Sequence, residues 1–119
     1  MKNFRDLKVW HKAHALTLET YRLSASFPSD ERYNLTAQLR RSAASIPSNI
    51  AEGCGRTGDR EFKRFLQIAM GSASELEYQL LLSRDLEYMK EESYSSTQAH
   101  LEEVKKMLAG LIKKLAQRA

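Results

Sequence analysis

The chain has 119 residues, enough for one domain that buries a core without disulfide or metal support. Its 42% hydrophobic and 29% charged residues exclude a disordered chain, and a formal net charge of +4 admits acidic partners without requiring them. Cys54 is the only cysteine, which excludes an intrachain disulfide and a cysteine-rich zinc site, while 5 glycines and 2 prolines favour a few long helices over many short strands.

The opening Met1-Lys2-Asn3-Phe4-Arg5-Asp6 has no apolar signal core, and no stretch is apolar enough to span a bilayer. A cytoplasmic protein without membrane contact is expected. The first helix is predicted from about Arg5 to Ser26, with Val9, Ala13, Leu16, Thr20, Leu23 and Phe27 in alternating steps of four and three. Leu7, Trp10, His14, Leu18 and Tyr21 trace a second stripe beside it, and His14 reads as a hydrogen-bonded interior group. Phe27-Pro28-Ser29 ends the run, because the residue before proline leaves the helical region.

Ser29 as N-cap, with Asp30 and Glu31 behind it, predicts the next helix start. Its buried stripe is Leu35, Leu39, Ala43, Ile46 and Ile50. Pro47 sits inside this run and frees the carbonyl of Ala43, so one bent helix is expected, with nearby hydroxyls satisfying that carbonyl. Cys54, between two glycines, is expected to be exposed without a general base beside it.

Asp59 is the expected cap of the longest helix, about residues 59 to 88, with Phe62, Leu66, Ala69, Ala73, Leu76 and Leu80 on its core face. Leu80, Leu81 and Leu82 point in three directions, and Met70, Leu81 and Tyr88 lie off that face. Such surplus apolar surface, with the second stripe of the first helix, reads as an interface between copies. Lys90-Glu91-Glu92-Ser93 is the expected last turn, and Thr97, Leu101, Val104, Leu108, Leu111 and Leu115 form the face of a fourth helix. The fold predicted is all-α: a single domain over 1–119, packed as an antiparallel up-down-up-down four-helix bundle, with an orthogonal array as the alternative.

The stretch Arg40-Arg41-Ser42-Ala43-Ala44-Ser45-Ile46-Pro47-Ser48-Asn49-Ile50-Ala51-Glu52-Gly53 resembles the signature of the four-helix-bundle family named after the 23S rRNA intervening-sequence protein. Phe4-Arg5-Asp6-Leu7-Lys8-Val9-Trp10 is similar to its N-terminal pattern. Phe62 to Ala69, followed by Gly71 to Glu77, is similar to its third helix. The resemblance implies a left-handed bundle with a proline-bent second helix, assembled as a ring-shaped homopentamer. It implies no established activity; some relatives lie within 23S rRNA genes, and others are accessory proteins of diversity-generating retroelements that bind nucleic acid and a reverse transcriptase.

Two residue groups are candidates for function. Arg41, Ser45, Ser48 and Glu52, with Asn49 beside them, share one face of the second helix. They read as a polar network, with Arg41 and Glu52 as partners, that ties helices or subunits together; a ligand or nucleic-acid site is the alternative. In an alternating bundle, Arg5, Lys8, Lys12, Arg56, Arg60, Lys63, Arg64, Lys113 and Lys114, with Lys2 and Arg118, gather at one pole against Asp6, Glu52, Asp59 and Glu61. Phosphate backbones bind such clusters without reading sequence. Arg60, Lys63 and Arg64 stand at a helix N-terminus, where the dipole disfavours cations, so helix electrostatics do not explain them.

Catalytic patterns are weak. His11, His14 and His100 form no Glu-x-x-His pair, the glycines lack the Lys-Ser/Thr of a phosphate loop, and Glu75 and Glu77 diverge. No metal, no cofactor and no enzymatic activity are expected. The leading expectation is a homo-oligomeric scaffold or accessory protein with RNA or DNA contact through the basic pole. A protein-binding adaptor without nucleic-acid contact is the alternative, and an enzyme of unrecognised type comes third.

Overall fold

The places where this backbone cannot remain helical set the layout of the computed structural model, which describes residues 2–118. Four helices result: α1 (Lys8–Ser24), α2 (Leu35–Cys54), α3 (Asp59–Asp85) and α4 (Glu91–Gln117). No strand occurs among the described residues. Short 3-10 turns at Phe4–Asp6 and Ser29–Glu31 precede α1 and α2.

The boundaries differ from expectation for local reasons. Leu7 is extended (φ −93°, ψ 122°), so Phe4–Asp6 stands apart from α1. Ser29 does not cap α2. Ser29 to Glu31 form their own turn, and the Glu31 carboxylate accepts the backbone N–H of Leu35 at 3.3 Å and the Asn34 amide at 3.2 Å. The cap is thus supplied from four residues upstream. Asp59 is not the cap of α3 either: Gly58 fills that position at φ 86°, a left-handed value that costs glycine little. α3 stops at Asp85 rather than 88 because Glu87 turns left-handed at φ 64°. The Glu87 N–H then donates to Arg84 and the Tyr88 N–H to Ser83, both at 2.9 Å, closing the helix end. Lys90 is extended and α4 begins at Glu91, where Glu91 and Glu92 suit the positive helix end, so the expected loop is partly helix.

Each helix packs against two others, α1 on α2 and α4, and α3 on α2 and α4. Their inner faces meet in one core that includes Leu16, Leu39, Ile46, Ile50, Leu66, Leu76, Leu80, Leu101 and Leu108, all with 0–1% exposure. Gly53 lets α2 approach α3 closely: a Cβ there would lie 2.9 Å from the Phe65 Cβ. Pro47 lies within a continuous α2. The carbonyl of Ala43, which Pro47 leaves without its helical donor, accepts from the Thr17 hydroxyl of α1 at 3.0 Å, and Thr17 shares that proton with Ala13 O at 3.0 Å. A hydroxyl does satisfy the carbonyl, but it comes from the neighbouring helix.

Arg40 performs a related task. Its Nε donates to Ser24 Oγ at 2.9 Å and its guanidinium to Tyr21 O at 3.2 Å, satisfying carbonyl and hydroxyl groups at the end of α1. No helix of the described residues is long and apolar enough to cross a membrane.

Candidate nucleic-acid interface

Three parts of the chain meet at one end of the molecule. The Lys2 N–H donates to the Cys54 carbonyl at 2.9 Å, and the Lys2 ammonium sits 5.3 Å from the centre of the Phe62 ring. Arg118, just beyond α4, pairs with Asp59 at 3.1 Å. The chain start, the α2–α3 connection and the end of α4 are thereby adjacent.

The nine candidate cations divide into two groups. Arg56 pairs with Glu52 at 2.8 Å, Arg64 with Glu61 at 3.1 Å, and Lys12 with Glu103 at 3.4 Å. Arg56 and Arg64 also lie over the Phe65 ring, at 5.0 and 4.5 Å. The Arg64 hydrogen bonds hold the Glu61 carboxyl below its ordinary range, and the nearby charges of Arg56 and Arg60 add to this. Arg5, Lys8, Arg60, Lys63, Lys113 and Lys114 make no ion pair among the described residues, and all but the half-buried Lys63 are exposed. Lys12 is drawn sideways onto α4, away from that end.

The polar face of α2 is split rather than united. Ser45 Oγ meets Ser72 Oγ of α3 at 2.9 Å, and the Asn49 amide donates to Ser45 O and Oγ at 2.8 and 2.9 Å. Ser42 extends this seam by donating to Glu75 at 2.9 Å. Ser48 instead borders a groove between α1 and α2, with Phe4, Trp10, His14 and Pro47. Arg41 is exposed and makes no ion pair among the described residues. The expected Arg41–Glu52 pairing is absent among the described residues: Arg56, one turn from Glu52, takes that carboxylate at 2.8 Å. At about 100° per residue the stripe is broad, so its edges face different neighbours while its centre meets solvent.

Other side chains depart from expectation. His14 is exposed and stacks on Trp10, ring centres 5.0 Å apart and 8° from parallel, so it is not an interior group. Cys54 is only 1% exposed and belongs to the core cluster, and burial pushes its thiol above the ordinary value while Lys2 pulls the other way. The Glu19 carboxylate joins α1 to α4, accepting from Thr97 at 2.9 Å and meeting His100 Nδ1 at 2.7 Å. Sequence periodicity could place Thr97 on an inner face but gave no sign of its partner. Among the described residues no group of three or more His, Cys, Asp or Glu side chains is arranged to hold a metal ion.

Comparison with known proteins gives two results. The family described as 23S rRNA-intervening sequence protein matches residues 5–110. A solved structure of a protein of unknown function from the S23 ribosomal protein family of Bacteroides thetaiotaomicron is similar at 29% identity and TM-score 0.80, over 88% of this chain and 98% of that one. No curated protein matches the chain.

Proposed function

Since the chain belongs to the 23S rRNA-intervening sequence protein family, we propose that it is a non-enzymatic, homo-oligomeric helical scaffold or accessory protein that contacts RNA or DNA through its basic end. The observation that carries this reading is the meeting of the chain start, the α2–α3 connection and the end of α4. Their cations, Arg5, Lys8, Arg60, Lys63, Lys113 and Lys114, have no acidic partner among the described residues. Phosphates would replace counterions there without base-specific contacts.

The architecture we propose is a single domain, an up-down-up-down left-handed bundle with α2 bent at Pro47. Support for the alternation comes from seams whose numbering runs oppositely: Lys12 meets Glu103 and Glu19 meets Thr97, while Ser42 meets Glu75 and Ser45 meets Ser72. Assembly into a homopentameric ring accords with the likeness noted from the sequence. Leu18 and Tyr21 of α1 are 44% and 45% exposed, and Ile68 and Tyr78 of α3 are 41% and 61% exposed. Two different apolar flanks suit head-to-tail contacts, which close into rings. A cytoplasmic location fits this role.

Binding of RNA, single-stranded DNA and duplex DNA measured across a salt series tests the proposal. Affinity should fall as salt rises, and changing both Arg60 and Lys63 to alanine should reduce the slope of log affinity against log salt by about 2. An absence of binding at low salt would overturn nucleic-acid contact. The exposed Ile68 and Tyr78 would then favour the second reading, an adaptor whose α3 receives another protein chain.

A further inference from the structure

A groove of about 300 Å³ runs between α1 and α2. One wall is aromatic: the Phe4 and Trp10 rings are 4.7 Å apart between centres and tilted, and the exposed His14 ring lies parallel to Trp10 at 5.0 Å. The facing wall is formed by the small residues Ala44, Pro47 and Ser48. Among the described residues no carboxylate, lysine or arginine borders the groove.

Charge stands at its two ends instead. The contacts of Lys2 with Cys54 and of Thr17 with Ala43 set the direction in which the groove runs. Arg5, its guanidinium 4.4 Å from the centre of the Phe4 ring, stands at the basic end of the molecule. Arg41 stands beyond the other end, on the α2 row that continues through Ala44 and Ser48, about 10 Å along the helix from Ser48. Both arginines are exposed, and neither makes an ion pair among the described residues. Leu18 and Tyr21, on the flank proposed for contacts between copies, do not border the groove.

An apolar slot with an aromatic wall and a free cation at each end matches a strand whose bases are not paired. Its phosphates go to the arginines and its ring faces to the aromatic wall. A duplex keeps those faces inside its own stack, and an apolar protein segment gains nothing from the arginines. Resting on the nucleic-acid reading above, we propose that this groove stacks an unpaired base, so that the preferred ligand is a single strand or a loop of RNA or DNA rather than a duplex.

Trp10 is the only tryptophan, so its fluorescence reports on the groove. The full chain is titrated with a short oligothymidylate, with the same strand paired to oligoadenylate, and with inorganic polyphosphate, binding being followed by calorimetry and stacking by Trp10 quenching. The single strand should bind and quench, whereas polyphosphate should bind without quenching and the duplex should quench little. His14→Ala should weaken single-strand binding roughly tenfold while leaving polyphosphate binding and the helical signal unchanged. Arg41→Ala should reduce the salt slope for the single strand by about 0.7. Single-strand binding without quenching and without an effect of His14→Ala would overturn the base site while leaving phosphate contact at the basic end. Equal quenching by polyphosphate or duplex would also overturn it. So would Trp10 fluorescence that follows protein concentration but not oligonucleotide, since a second copy would then fill the groove. No binding by any of the three polymers would overturn both this inference and the reading beneath it.

Discussion

Thr17 has one proton for two carbonyl groups, Ala13 O on its own helix and Ala43 O on the next. The second acceptor exists only because Pro47 has no N–H to give it. Replacing Thr17 by valine keeps the shape but leaves a buried carbonyl without a donor, so it should cost about 1–3 kcal/mol of unfolding free energy by denaturant titration. Ser24, whose hydroxyl receives Arg40, offers a contrast. There the acceptor set is partly exposed, and a loss would be shared with water. The sequence announced the orphaned carbonyl at Pro47, since proline chemistry is local, but not its donor, which is 26 residues away. His14 shows the opposite failure: an apolar stripe suggested burial, yet the ring lies on Trp10 facing solvent.

At the scale of elements, the end of α3 holds Glu87 in a left-handed conformation at φ 64°. A side chain there costs about 1–2 kcal/mol relative to the right-handed region, so Glu87→Gly should raise stability by about 1 kcal/mol and sharpen rather than shift the helix end. Thermal melting checks the sign. The seam between α3 and α4 depends on charge: Lys105 donates to Glu77 at 2.7 Å and Gln98 to the same carboxylate at 2.9 Å. The Lys105 hydrogen bond, partly opposed by burial and helped by Gln98, holds the Glu77 carboxyl below its ordinary value. A lowered acid contributes stability above its unfolded pKa, near 4.3, and loses it as pH falls through the folded value. Glu77→Gln should therefore be less stable at neutral pH by at most about 1 kcal/mol after solvent screening, and the gap should close near pH 2. Helix number and inner faces were legible because apolar spacing records burial directly. Helix starts were less so: Glu31 caps α2 from a preceding turn, and Gly58 displaces Asp59 through backbone freedom that carries no polarity signal.

For the whole molecule, charge position mattered more than charge total. Sequence reasoning gathered eleven cations at one end, and among the nine candidates the structure separates Lys12, Arg56 and Arg64, which have acidic partners, from six that have none among the described residues. That division was illegible from the net charge, because it turns on which rotamers reach across one helical turn or, for Lys12, onto the neighbouring α4. Assembly is tested by mass in solution: a pentamer at micromolar concentration is the expected outcome, and a monomer would overturn the ring. Reversing Tyr21 and Tyr78 to lysine, one on each flank, should shift the assembly toward smaller species while the helical signal persists.

The pairing of Arg56 with Glu52 and Arg64 with Glu61 on either side of Phe65 has a consequence for selectivity. Any visiting anion must evict a tethered carboxylate before it gains a guanidinium, and the Arg64 hydrogen bonds that lower the pKa of Glu61 favour the charged form of that resident competitor. A lone small ion gains little by such an exchange. Under the proposed nucleic-acid contact, a polymer already anchored on neighbouring lysines would make the swap within one complex, so this corner of the surface would discriminate by valence rather than by charge alone.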